Sequence, residues 1–182
     1  MPSNPFPTNS FLLLALSFGV ALLAMGGNTA DAAMVGQELS NVEVRDADDR
    51  PTWIPHFGKK LIGIFYNDAD AADMNDPLAD AITAKNFDES KYEGMGIGDL
   101  QDSKLPNFII RRIIKAKVEK YNTVILTDPK LLLPKAWDLG DCNNTALFIL
   151  IGKDKRVKYI QKGPIRGAET EAVVKLIEDL IR

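Results

Sequence analysis

The 182-residue chain has one cysteine, Cys142, and one histidine, His56, which excludes a Cys/His zinc site and an internal disulfide. Hydrophobic residues make up 46% and charged residues 26%, the balance of a folded chain with a single core rather than a disordered one. A formal charge of −3 provides no basic field to draw in nucleic acid or an acidic membrane surface.

Phe11 to Met25 is a largely apolar run of 15 residues, shorter than the roughly 20 residues a membrane helix needs. A polar stretch follows, and Ala30-Asp31-Ala32 has the small-x-small form that signal peptidase accepts. Residues 1–32 are therefore expected to be a cleaved signal peptide and 33–182 the mature domain. Residues 1–10 contain no Lys or Arg, so the usual positive amino-terminal region is missing, and no cysteine follows the run to take a lipid anchor.

From Val35 onward no linker, repeat or low-complexity stretch interrupts the pattern, as in one continuous domain. Val42-Glu43-Val44 alternates like a short edge strand, and the polar residues 46–50 read as a turn. Leu61 to Tyr66, LIGIFY, is short, apolar and rich in β-branched and aromatic residues, the signature of a strand buried on both faces. An Asp- and Asn-rich segment leads into a helix, with Pro77 suited to its first turn and Asp76 to its cap.

Gly94 to Leu100 is the next strand candidate. Over 106–121, Ile110, Ile113, Ile114, Val118 and Tyr121 recur at helical spacing. Val124-Ile125-Leu126 predicts a strand stopped by Thr127-Asp128-Pro129. A short helix precedes a hairpin formed by 145–151 and 156–160 around Gly152-Lys153-Asp154-Lys155. A closing amphipathic helix spans 169–181. Strands alternating with helices imply right-handed parallel crossovers, and the late hairpin adds antiparallel strands. The expected fold is an α/β three-layer sandwich: a mixed central sheet with helices on both faces.

These residues resemble a known superfamily. Val35-Gly36, Val42-Glu43-Val44, Gly58-Lys59-Lys60 and LIGIFY are similar to the opening of thioredoxin-like and peroxiredoxin-like exported proteins. The closing ALFILIGKDKRVKYIQKG resembles their final hairpin. The 135–139 segment (Lys-Ala-Trp-Asp-Leu) and the long helix before 124–126 resemble the YtfJ-like group of periplasmic proteins. The resemblance covers Val35 to Arg182. In redox-active relatives a Cys-x-x-Cys pair follows the first central strand. Carried over without gaps from Phe65-Tyr66, the resemblance puts those two positions at Asp70 and Asp73. The relatives also have a cis-proline before the hairpin, where this chain reads Cys142-Asn143-Asn144-Thr145. A thiolate is the nucleophile in disulfide exchange, and a carboxylate cannot replace it. Thiol–disulfide oxidoreductase activity is accordingly not expected.

The resemblance implies that Asp70, Asp73, Asn143 and Asn144 occupy the former redox corner, where they would form a binding surface for an extracytoplasmic protein or small ligand. Cys142 is the candidate for single-cysteine redox or peroxide-related chemistry. The plainer reading makes it a small buried residue with no His or Lys nearby in sequence to activate its thiol. Asp68, Asp70, Asp73 and Asp76 put four carboxylates within nine residues, a candidate hard-cation site. They lack the turn glycine and distal Glu of a calcium loop, and helix capping explains them equally well. Arg111, Arg112, Lys115, Lys117 and Lys120 offer an anion or partner surface or, more plainly, a solvated helix face; Arg111, Arg112 and Lys115 sit off the apolar sector, whereas Lys117 falls within it.

Gly94-x-Gly96-x-Gly98 is not a dinucleotide fingerprint, and no cofactor is expected. Its period-two glycines are expected to let a neighbouring element approach closely. His56 is expected to be an ordinary loop residue, and Trp53 and Trp137 are expected to pack in the core. Neither nucleic acid nor a stable membrane span after signal removal is expected.

Overall fold

The computed structural model describes residues 34–101 and 105–182. The 1–32 segment read as a signal peptide lies outside them. The elements in chain order are β1 (Glu43–Arg45), β2 (Pro51–Trp53), β3 (Leu61–Asp68), α1 (Asp76–Lys85), β4 (Tyr92–Asp99), α2 (Asn107–Tyr121), β5 (Ile125–Asp128), α3 (Leu132–Trp137), β6 (Ala146–Ile151), β7 (Val157–Lys162) and α4 (Ala168–Leu180).

They build one seven-stranded sheet in the order β2-β1-β5-β4-β3-β6-β7. β3, β4 and β5 run parallel, while β6 is antiparallel to β3 and β7 to β6. β3 is a strand at the heart of the sheet because both its faces are apolar. Ile62, Ile64 and Tyr66 face one core with Trp137, Leu133, Leu147 and Ile149, and Leu61 faces a second core with Leu78, Phe148, Leu150 and Ile177. α3 and the amino-terminal segment cover the first core, while α1 and α4 cover the second. The indole N–H of Trp137 ties that amino-terminal segment down by donating to the Ser40 carbonyl at 2.8 Å. The expected mixed sandwich is the observed one.

Several details differ from the sequence reading. The Val42–Val44 strand is not an edge: Pro51–Trp53 pairs antiparallel with β1 and lies outside it. Trp53 therefore sits on the outermost strand and is 59% exposed, so its expected place in the core is corrected, whereas Trp137 is fully enclosed. The helix cap is Asn75 rather than Asp76, which is already helical. Asn75 is buried, and its side chain serves a distant segment instead. Its Oδ1 accepts from Ile165 N–H at 2.8 Å and its Nδ2 donates to Gly163 C=O at 3.1 Å. The start of α1 is thereby locked to the β7–α4 connection. Finally, the close approach expected at the glycine-lined face of β4 comes from the sheet itself: a Cβ on Gly96 would lie 3.2 Å from Ile125 Cγ1, and one on Gly94 3.3 Å from the Tyr92 hydroxyl. The same face forms the floor of a cavity.

Candidate functional site

β3, β4 and β5 all end in aspartate, and the parallel register places Asp68 opposite Asp99 and Asp99 opposite Asp128. Neighbouring strands are about 4.8 Å apart, so three carboxylates stand side by side at the carboxyl edge of the sheet, on one face. All three residues are buried, at 0%, 1% and 1% exposure. Buried carboxylates persist when backbone N–H groups partner them, and these have such partners.

Asp68 Oδ1 accepts from Asp70 N–H at 2.7 Å, and its Oδ2 accepts from Asn144 N–H at 2.9 Å. Asp99 Oδ1 accepts from Gln101 N–H at 2.9 Å. Asp128 accepts from Leu132 and Leu133 N–H, both at 2.9 Å, and so starts α3. The buried Tyr66 hydroxyl, two residues before Asp68 on the same face, donates to Asp128 Oδ2 at 3.4 Å. Burial, together with the neighbouring Asp128, Asp99 and Cys142, raises the Tyr66 phenol well above its usual range.

The Asp68–Asn144 contact joins the two halves of the corner expected from the sequence. Thr145 C=O also accepts from Asp68 N–H at 3.1 Å, which holds the loop before β6 against the end of β3. Asp70 lies in the 3₁₀ turn Ala69–Ala71 directly after β3 and is exposed. Asp73 is also exposed and pairs with Lys117 at 3.0 Å. Asn143 and Asn144 are exposed, and Asn144 adopts the left-handed conformation at φ 52°. No thiol stands at either position carried over from the redox pair, and there is no cis peptide bond among the described residues.

Cys142 lies beneath this loop at 5% exposure, part of the core that holds Tyr66 and Trp137. Burial pushes its thiol up, and Asp99 and Asp141 add to that, while Lys162 pulls the other way. Lys162 is a neighbour that the sequence order hid. Its ammonium donates to the Leu139 and Asp141 carbonyls, both at 2.7 Å. The thiol is an inward, protonated packing group in this setting.

The acidic 68–76 segment does not gather into one cage. Asp68 points into the sheet edge and Asp70 lies at the surface. Asp76 pairs with Lys117 and, at 3.6 Å, with Lys120. Among the described residues no three His, Cys, Asp or Glu side chains are grouped to hold a metal ion. Lys117, the cation inside an apolar sector, is thus explained by Asp73 and Asp76. His56 pairs with Glu93 on β4 and has a positive φ of 54°.

The aspartate row is the feature the sequence reading missed. Its signal is a repeated strand ending: Tyr66-Asn67-Asp68, Ile97-Gly98-Asp99 and Leu126-Thr127-Asp128. Taken singly, Asp68 reads as part of an acidic segment, Asp99 as the inside of a strand and Asp128 as a strand stop; only the register reveals that they are neighbours.

Comparison with known proteins places this geometry. A family model described as "Bacterial protein of unknown function (YtfJ_HI0045)" matches residues 59–180. An uncharacterized protein of Haemophilus influenzae is 24% identical over 114 residues, spanning 62% of this chain and 61% of that relative. A Chlorobium tepidum structure described as a DsbE thiol:disulfide interchange protein superposes with a TM-score of 0.62 at 11% identity, covering 81% of this chain and 98% of the other. The reduced 2-Cys peroxiredoxin of Plasmodium vivax gives a TM-score of 0.55 at 18% identity, covering 80% and 95%. Bacillus subtilis StoA gives 0.52 at 13% identity, covering 75% and 96%. These likenesses establish a thioredoxin-like fold.

Proposed function

The chain belongs to the bacterial YtfJ_HI0045 family, and from that premise we propose that it is an exported, non-catalytic thioredoxin-like binding module. One observation carries the reading. The two positions after β3 are the exposed carboxylates of Asp70 and Asp73, beside a loop whose only thiol is buried. A corner that presents carboxylates and amides rather than a thiolate is suited to recognition, not to electron transfer. Asp70, Asp73, Asn143 and Asn144 form the contact surface, and its chemistry calls for a partner offering N–H donors or cationic side chains. Export rests on the 1–32 segment. Among the described residues no helix is long and apolar enough to cross a membrane.

The test is an affinity capture from extracytoplasmic extract with three forms of the mature protein: wild type, Cys142→Ser, and Asp70→Ala combined with Asn143→Ala. The same partners should be retained by wild type and Cys142→Ser and lost from the double variant. Loss from Cys142→Ser with retention by the double variant would overturn the reading.

A further inference from the structure

On the face of the sheet opposite Cys142, α1 and α2 do not close over β4. They leave a cavity of about 740 Å³, within the range of small-molecule sites. Its floor is Gly94, Gly96 and Gly98, three alternate positions of one strand face that have no side chains. Apolar side chains line it on both sides, Phe65 and Ile82 on one and Ile113 and Ile114 of α2 on the other.

Two polar atoms in this lining are buried and have no hydrogen-bond partner among the described residues: the Tyr92 hydroxyl and Asn67 Oδ1. Tyr92 is 6% exposed. Its ring packs edge-on against Phe87, with centroids 5.4 Å apart, and its hydroxyl is seated over Gly63 and Gly94. A Cβ on Gly94 would lie 3.3 Å from that oxygen, and one on Gly63 would collide with it. Asn67 sits at the other end, opposite Gly98 in the register, where its Nδ2 donates to Ala72 C=O at 3.3 Å. Four residues of strand separate the Gly94 and Gly98 levels, a span of about 13 Å.

Leaving a buried hydroxyl or amide oxygen unpaired is costly, and native proteins satisfy nearly all such groups. We propose that this cavity is a binding site for an elongated, uncharged small molecule. Its hydrocarbon or aromatic body would lie along the glycine floor, with a hydroxyl or N–H donor meeting Asn67 Oδ1 and a second polar group meeting the Tyr92 hydroxyl. The ligand is neutral because the half-buried charges lining the cavity are already matched. Lys117 pairs with Asp73 and Asp76 at one end, and Lys60 and His56 pair with Glu93 at the other. The site lies away from the thiol and does not depend on the corner's proposed role.

The probe is N-phenyl-1-naphthylamine, a neutral arylamine that fluoresces on entering an apolar site, titrated into the mature protein. Saturable enhancement is expected, with displacement by decan-1-ol and stronger displacement, about fivefold, by decane-1,10-diol, which has a second hydroxyl. Gly98→Val fills the floor where a Cβ meets only ordinary contact, 3.7 Å from Leu100 Cδ2, and should abolish the enhancement while melting cooperatively. Tyr92→Phe, which removes one oxygen and keeps the ring, should retain the probe and erase the preference for the diol. No saturable enhancement with wild type, equal enhancement with Gly98→Val, or an undiminished diol preference in Tyr92→Phe would each overturn the proposal.

Discussion

Asp128 shows how much one residue of the aspartate row does. Its two oxygens accept the first free N–H groups of α3 and the Tyr66 hydroxyl, so truncation orphans three donors in a site closed to water. Asp128→Ala is expected to cost about 3 kcal/mol, whereas Asp128→Asn, which keeps one acceptor, should cost about half of that; denaturant melts check both. Cys142 makes the opposite point, a reactive residue type buried among its surroundings at 5% exposure. Its pKa is raised in the folded state, mainly by burial, so the protonated thiol is favoured there. The sign follows: this contribution to stability is complete below the ordinary thiol pKa of 9.0 and is lost as pH rises through the higher folded value. Iodoacetamide at pH 8 should label native protein far more slowly than urea-unfolded protein, and equal rates would contradict the burial. The sequence allowed the buried, unactivated reading of Cys142, which the structure bears out, but not the role of Asp128 or the identity of the thiol's neighbours. Asp128 looked like a loop start, and the Lys162 that faces Cys142 lies twenty positions downstream.

The elements themselves were far more legible. LIGIFY, the 106–121 periodicity and the late hairpin each announce a structure, because long or strongly apolar segments have few alternatives. β2 escaped notice because it is only three residues long and begins with Pro51. β3 runs two residues beyond its apolar run because pairing with β4 continues through Asn67↔Gly98 and Asp68↔Asp99. α2 rests on α1 through a charged seam that the sequence only hinted at. Lys117, with 15% of its side chain exposed, bonds Asp73 and Asp76, and Lys120 bonds Asp80 at 2.8 Å. Breaking one partner of such a half-buried pair leaves the other desolvated. Lys117→Ala is expected to destabilise the protein by about 1 kcal/mol, well below a buried pair's worth because the carboxylates remain partly wet. A double-mutant cycle with Asp76→Ala should return a favourable coupling that shrinks at high salt.

At the scale of the whole molecule, the thioredoxin-like fold is shared with structures described as thiol:disulfide interchange proteins, while the two carried-over positions after β3 are Asp70 and Asp73. The sheet delivers a turn after β3 to the loop before β6, and Asp68 joins the two by accepting a hydrogen bond from Asn144 N–H. What differs is the set of groups displayed there: carboxylates and amides outside, a lone thiol inside. Fold alone does not assign activity, so the displayed groups must be tested. The most direct measurement is insulin reduction with dithiothreitol as electron donor, run on wild type, Cys142→Ser and Asp70→Cys/Asp73→Cys. No turnover is predicted for the first two, together with measurable turnover for the double-cysteine variant, whose added thiols would restore the missing pair. Turnover by wild type that disappears in Cys142→Ser would contradict the account.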